Sequence, residues 1–256
     1  MIDKNDDSIK SIERALDILE VLATKKDGLG ITAIARATGL SKSTVHRITA
    51  TLAERGYVEH ESAGNYRLGL KYIEIASFYI NRLELQTESR PYLWEITTQL
   101  GLTAHLGILD AYEVIYVEKL DVFPSIRLYS QIGYRVPAYC SSLGKCLLSG
   151  LSSEQLETVM ANCFFERFTE HTITSLFELK KQLRQIRTQG WAMDDEEHDK
   201  GHRCIGSPIY DYRGDVIAAV SASGPVTVLN NERIPVVIQK VHDSALHISQ
   251  RLGYVP

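Results

Sequence analysis

Residues 31–69 read ITAIARATGLSKSTVHRITATLAERGYVEHESAGNYRLG, and the order of signals in this stretch leaves few folds open. Ile31 to Thr38 predicts a short helix stopped by Gly39, and Ser41 is a good N-cap for a further helix running to about Glu54. Two short helices joined by a tight glycine turn make a helix-turn-helix unit. GYVEHESAGNYRLG then alternates apolar and polar residues on both sides of a Ser-Ala-Gly-Asn turn, which predicts a β-hairpin. Upstream, Ile12, Ala15, Leu16, Leu19 and Leu22 recur at helical spacing and predict a first helix with one apolar face. Residues 25–30 form a polar, glycine-containing break.

The helix after Ser41 has two unlike sides. Val45, Ile48 and Leu52 share one and are expected to pack inward; Ser43, His46, Arg47 and Ala50 point the other way. The outward side is short-chained and hydrogen-bonding, a shape that a DNA major groove admits. Its amino-terminal residues are placed to meet base edges, and the helix end itself favours a phosphate. Ser41, Lys42, Ser43, Thr44, His46 and Arg47 are therefore the candidate DNA contacts. The hairpin reads as a wing, with Tyr66 and Arg67 expected along the neighbouring backbone or minor groove. The bland alternative is a solvated helix and hairpin in a small packed domain. Net charge gives this argument little help: the chain is −4 overall, with only a slight excess of base in residues 8–69.

From LGLKYIEIASFYINRLELQ onward the pattern changes. Leu70, Ile73, Ala76, Ile80 and Leu83 form one apolar stripe, and Tyr72, Ile75 and Tyr79 a second edge. A helix this apolar reads either as an ordinary core helix or as a connector that buries against a partner and transmits strain. Residues 87–256 then alternate strands and helices. AHLGILDAYEVIYVEKL predicts two strands about a turn, and SIRLYSQIGYRVPAY contains another. CSSLGKCLLSGL predicts a short helix with Ser141 or Ser142 near its start. Ser152 and Ser175 each open a capping box, the second before a helix whose Leu176, Leu179, Leu183 and Ile186 share a face. RCIGSPIYD and VIAAVSASG are apolar strands joined by DYRGD. The last helix carries Ile234, Ile238, Val241, Ala245, Ile248 and Leu252, with Pro235 near its start. Together these predict an α+β chain: a winged helix-turn-helix over residues 1–69, a linker helix over 70–86, and a mixed module around an antiparallel sheet over 87–256.

Composition and spacing narrow the function classes. No apolar run is long enough to predict a transmembrane helix, and MIDKNDDSIK lacks a signal core. The cysteines, Cys140, Cys146, Cys163 and Cys204, form no CxxC pair or disulfide framework, so a reducing cytoplasm is the expected setting. MDDEEHDKGHRC is dense in metal-ligand types. His198 and His202 would share a face on a helix, but Gly201 and the flanking strands predict a loop, and the order of zinc proteases is missing. A cysteine nucleophile beside His105 or His202 stays open, without a clear base and orienting pair. No phosphate loop or dinucleotide fingerprint is present, and no cofactor is expected.

SIERALDILEVLA and GLSKSTVHRITATLAERGYVE resemble the amino-terminal winged helix of the IclR family of bacterial transcription regulators. The carboxyl-terminal half carries a long spaced match to the same family: Gly190, three residues, Asp194, two residues, Glu197, six residues, Cys204-Ile205-Gly206, two residues, Ile209-Tyr210-Asp211. The resemblance covers nearly the whole chain. It implies a GAF-like effector-binding domain, assembly as homodimers or homotetramers, and a double-stranded, palindromic DNA operator.

The family's site positions fall on Ser142, Leu143, Asp194, Cys204, Ser221 and Ser223, which the resemblance therefore implies as effector contacts. Local chemistry agrees with that implication. A helix start offers unpaired N–H groups to a carboxylate. Ser221 and Ser223 stand two apart on a strand and so face one side. Asp194 can accept from ligand hydroxyls, and Cys204 supplies a small wall with a weak donor. A small organic acid bearing hydroxyls is the expected effector. Leu143 is bulkier than the residue some members place there, which bears on cavity size. YSQIGYRVPAYCSSLGK and HTITS are most similar to the subgroup controlling sugar-acid catabolism, which implies an aldonate or a 2-keto-3-deoxy sugar acid. The blander alternatives are that both serines bond only backbone and that Cys204 is a buried small apolar residue. The expected function is a ligand-responsive repressor of a catabolic operon. The rivals are an enzyme tethered by its DNA-binding module, and a DNA binder that senses nothing.

Overall fold

This computed structural model describes residues 9–25, 27–61, 64–80, 84–121 and 131–256, and of residues 76–80 and 84 only the backbone. Several expectations fall outside that range: Ser62 and Ala63 of the hairpin turn, residues 125–130 of the strand segment, and Leu83 of the apolar stripe. So do the side chains of Ala76, Tyr79 and Ile80. The chain divides into two compact units, Met1–Arg82 and Leu83–Pro256.

The first unit contains α1 (Lys10–Ala23), β1 (Leu29–Gly30), α2 (Ile31–Thr38), α3 (Lys42–Glu54), β2 (Val58–His60), β3 (Asn65–Leu68) and α4 (Lys71–Ile80). Gly39 takes φ of 71° and ends α2, a backbone conformation that disfavours side chains with a Cβ. Ser41 caps α3 by accepting from the Thr44 N–H. The small core is Ile18, Leu22, Ile34, Ala35, Val45 and Val58, with Ile48, Leu52, Tyr66 and Leu68 packed around it.

Two expectations change here. Of the predicted face of α1, Leu22 is buried and Leu19 packs against the core, but Ile12 and Leu16 are about half exposed, and Ile18, which the spacing left out, is fully buried. The break at 25–30 also contains β1, which pairs with β3 to make a three-stranded wing in the order β1-β3-β2. In α4, Leu70 just before it and Ile73 and Ile75 within it are exposed in the chain itself.

The second unit begins with α5 (Glu84–Leu100), a helix that contains Pro91 and that spacing did not predict. There follow β4 (Thr103–Asp110), β5 (Glu113–Leu120), β6 (Arg135–Pro137), a 3-10 turn at Ala138–Cys140, α6 (Ser142–Ser149), α7 (Ser153–Met160) and α8 (Leu176–Gln189). β7 (Ala192–Asp195), β8 (His202–Tyr210), β9 (Val216–Pro225) and α9 (Ile234–Arg251) complete it. The capping box at Ser152 is present in both directions, and Ser175 caps α8 through the Glu178 N–H. Among the described residues the strands form one antiparallel sheet, ordered β6-β5-β4-β9-β8-β7.

Strand alternation divides this unit into layers. On β9, Ala218, Val220 and Ala222 face one core with Leu93, Ile96, Val237, Val241 and Ile248 of α5 and α9. Ala219 faces the other core, built on Leu147 and Leu148 of α6 and Leu179, Leu183 and Ile186 of α8. Ser221 and Ser223 follow Ala219 on that second face. Both layers of helices are therefore held by one sheet, and the second face turns polar at one end.

Candidate nucleic-acid interface and ligand cavity

The side of α3 that packs inward is Val45 and Thr49, both fully buried, flanked by Ile48 and Leu52. Thr49 is polar, and its hydroxyl is satisfied within the helix by the Val45 carbonyl at 2.9 Å. The opposite side leaves Ser43, His46, Arg47 and Ala50 exposed, with Ser41 and Lys42 exposed ahead of them and Thr44 half-buried. Ser41 Oγ lies 3.0 Å from Ser43 Oγ and 2.9 Å from Thr44 Oγ1. The three hydroxyls thus form a linked cluster at the amino end of the helix, beside the exposed cations Lys42 and Arg47. The partial positive charge of the helix end and the donors of this cluster suit an anionic oxygen.

The wing residues are less free than the sequence suggests. Tyr66 is half-buried, with its ring centroid 4.6 Å from that of His60 and its body against the core. The exposed Arg67 guanidinium holds Glu59 at 2.9 Å and Glu61 at 2.9 Å. A phosphate contact by Arg67 would have to replace those carboxylates.

The second unit contains a cavity of about 590 Å³ between the polar end of the sheet and the start of α6. Ser142, Leu143, Asp194, Cys204, Ser221 and Ser223 all line it. Register explains how residues this far apart in sequence meet. Asp194 on β7 pairs with Cys204 on β8, which pairs with Ser223 on β9. One step along the strands, Gly206 pairs with Ser221, and Ser221 with His105 on β4. The rows are polar where neighbouring rows on the same face are apolar.

α6 roofs this floor at close range. A Cβ on Gly144 would lie 2.2 Å from the Ala138 Cα, and one on Gly206 3.1 Å from the Ser142 carbonyl carbon. Gly144 lets the helix pack on the preceding 3-10 turn, and Gly206 lets the helix start sit directly on β8. Ser141 Oγ accepts from the Gly144 N–H at 3.2 Å, and the Ser141 carbonyl accepts from Lys145 N–H. That cap does not use the first-turn N–H groups of Ser142 and Leu143, which face ahead of the helix. Leu143 is 2% exposed, and its Cδ1 approaches Gly107 of β4. Gly107 makes room for part of its bulk, while Leu143 still lines the cavity.

The cavity's electrostatics are set by burial. Asp194 Oδ1 accepts from the N–H groups of Glu197 at 2.8 Å and His198 at 3.4 Å. Burial nevertheless lifts its carboxyl to about 7, against the pull of nearby Lys145. Lys145, fully buried, sends its ammonium to Glu197 Oε1, the Met193 carbonyl and Gln182 Oε1. Burial also raises Glu197, and its second oxygen, Oε2, is buried without a hydrogen-bond partner among the described residues. One cation thus faces two carboxylates, and burial pushes both toward their neutral forms. Burial and Lys119 push His105 down to about 4, so its imidazole is neutral at ordinary pH. Asp199 raises His198, whose Nδ1 lies 3.0 Å from Asp199 Oδ2.

Sequence reasoning missed the parts of this site that depend on cross-strand neighbours. His105, Tyr116 and Tyr134 line the cavity, and Lys145 lies behind it. The alternation of β4 was a usable signal, since Ala104, Leu106 and Ile108 make one face apolar and leave His105 on the other with Thr103 and Gly107. Cys204 proves to be more than an apolar filler: its Sγ donates to Ser223 Oγ at 3.0 Å. Burial raises the Cys140, Cys146 and Cys204 thiols, Cys146 to about 12, which disfavours the thiolate a nucleophile needs. Residues 196–201 are a turn rather than a helix, as expected, and the described residues contain no cluster fit for a metal ion. No described helix is long and apolar enough to cross a membrane.

Comparison with known proteins places these two units in a recognised pair. Residues 11–62 match the IclR helix-turn-helix domain, and residues 77–250 match the bacterial transcriptional regulator IclR C-terminal domain. The HTH-type transcriptional regulator KdgR of Escherichia coli (strain K12) is 34% identical over 254 residues, covering 99% of this chain and 96% of that protein. Among solved structures, the Thermotoga maritima IclR superposes with a TM-score of 0.84 at 30% identity, over 96% of this chain and all of the other. An IclR homolog from Microbacterium hydrocarbonoxydans, solved in complex with 4-hydroxybenzoate, gives 0.84 at 25% identity, over 94% of this chain and 98% of that one.

Proposed function

The chain belongs to the IclR family of bacterial DNA-binding transcriptional regulators rather than to an enzyme family, and from that premise we propose that it is a cytoplasmic, sugar-acid-responsive repressor of a catabolic operon. The effector is an aldonate or a 2-keto-3-deoxy sugar acid. Its carboxylate meets the N–H groups of Ser142 and Leu143, and its hydroxyls meet Asp194, Ser221, Ser223 and the Cys204 wall. The observation that carries this reading is the cavity itself: an anion-seeking helix start at one wall and a floor of hydroxyl, carboxyl and imidazole groups. The relative solved with 4-hydroxybenzoate shows that a homologue accommodates a small carboxylate.

Ser41, Lys42, Ser43, Thr44, His46 and Arg47 read the operator, with Tyr66 and Arg67 of the wing on the adjoining backbone. A homodimer or homotetramer sets two such helices on the half-sites of a palindrome. The effector acts by population shift: it binds one arrangement of the assembly better than another and so biases operator affinity.

Thermal-shift screening against gluconate, galactonate, 2-keto-3-deoxygluconate, pyruvate and 4-hydroxybenzoate tests the effector class. A ligand of the native state raises the melting temperature. At least one hydroxylated sugar acid is expected to do so and pyruvate to do less. A panel in which only the aromatic acid stabilises the protein would reject the sugar-acid reading.

A further inference from the structure

The cavity has a far end that the family positions do not account for. His202 opens β8 and lines the cavity together with His198, Asp199 and Lys200 of the preceding turn. Its backbone N–H bonds the Asp199 carbonyl, and its carbonyl accepts from Glu196 N–H, so the residue is fixed at both backbone groups. The ring nitrogen Nε2 is buried and has no hydrogen-bond partner among the described residues. A buried, unsatisfied imidazole nitrogen beside a cavity is unfavourable in the empty protein, and a ligand oxygen that reached it would remove that cost.

Strand register gives the direction and the span. His202, Cys204 and Gly206 alternate onto one face of β8, and the pairing with β9 is regular from His202↔Pro225 through Gly206↔Ser221. Gly206 lies beneath Ser142, at the carboxylate end. His202 lies beyond the Asp194–Cys204–Ser223 row, at the other. Four residues of strand separate the two ends by roughly 13 Å. A hydrogen bond at each end takes about 2.9 Å. The remaining span suits an extended chain of about five or six carbons, at roughly 1.2 Å per bond.

We propose that His202 is a specificity-determining effector contact, whose Nε2 binds the terminal hydroxyl of a five- or six-carbon sugar acid anchored by its carboxylate at α6. The inference rests on the effector reading above and goes beyond it by naming the group that reads the far end of the ligand. A hydroxyl both donates and accepts, so it pairs with Nε2 in either tautomer of the ring. An acid without the terminal hydroxyl leaves the nitrogen buried and unpaired, the condition under which a polar site discriminates most strongly.

The test is calorimetric titration of the full-length protein with 2-keto-3-deoxygluconate and with its 6-deoxy counterpart. Wild type is expected to favour the hydroxylated acid roughly tenfold. In His202→Leu the preference should vanish, mainly through weaker binding of the hydroxylated acid, while His202→Gln, which keeps an amide near the same place, should retain part of it. A wild type that binds both acids equally overturns the proposal without any variant, so misfolding of His202→Leu cannot protect it. An undiminished preference in a cooperatively melting His202→Leu also overturns it, as does a wild type that binds neither acid. The effector reading is judged separately, by the melting shifts across the acid panel.

Discussion

Asp194 has the geometry of a structural acceptor and the protonation behaviour of a buried acid. Two backbone N–H groups bind one of its oxygens, yet burial raises its carboxyl from the usual 3.8 to about 7. The folded protein therefore binds a proton there that the unfolded chain has released, between about pH 4 and pH 7. Stability linked to this group is fully present below the unfolded value and is lost as pH rises through the folded one. Asp194→Asn keeps an oxygen for both N–H groups and removes the ionisation. Its stability relative to wild type should improve between pH 5 and pH 7, with a slope approaching ~1.4 kcal/mol per pH unit. Denaturant melts of the two proteins across that range measure it. A stability difference independent of pH would show that Asp194 is ionised throughout.

At the scale of elements, α3 illustrates what an amphipathic pattern can and cannot carry. The exposed set, Ser43, His46, Arg47 and Ala50, was readable because Val45, Ile48 and Leu52 mark the opposite side by their apolar spacing, although the polar Thr49 is also buried there. α1 was readable as a helix and only in part as a face: Leu19 and Leu22 were placed correctly, but Ile12 and Leu16 were chosen over Ile18, and only packing against α2 and α3 decides between them. β1 escaped notice because a two-residue strand has no period and exists only through its pairing with β3. Pro91 masked α5, since a proline inside a helix usually argues against one. That Ser142, Leu143, Asp194, Cys204, Ser221 and Ser223 would line one cavity was legible through the family resemblance. Their neighbours His105, Tyr116 and Lys145 were not, because strand order β5-β4-β9-β8-β7 is a long-range property. The role of α3 has a direct check on its own helix. Arg47→Ala should weaken binding to a duplex selected from a random-sequence pool by roughly 10- to 100-fold. Arg184→Ala, an exposed change on α8, should leave it nearly unchanged. Equal losses in a gel-shift titration would mean that α3 is not the reading helix.

At the scale of the whole molecule, the account joins two devices that are physically unlike. The first unit presents short hydroxyl and cationic side chains on an exposed helix; the second encloses a cavity of about 590 Å³ with a helix start at one wall. Neither device requires the other for its own chemistry. Regulation requires that occupancy of the cavity change the operator affinity of the assembly, and a coupling of typical size changes it ~5- to 150-fold. Reciprocity demands that the operator change effector affinity by the same factor. The most direct measurement is a titration of the selected duplex with wild type and with Asp194→Ala, each with and without the sugar acid that raises the melting temperature most. The account predicts equal affinities without the acid, a shift within that range for wild type when it is added, and no shift for Asp194→Ala. A shift of the same size in Asp194→Ala at the same acid concentration would contradict it.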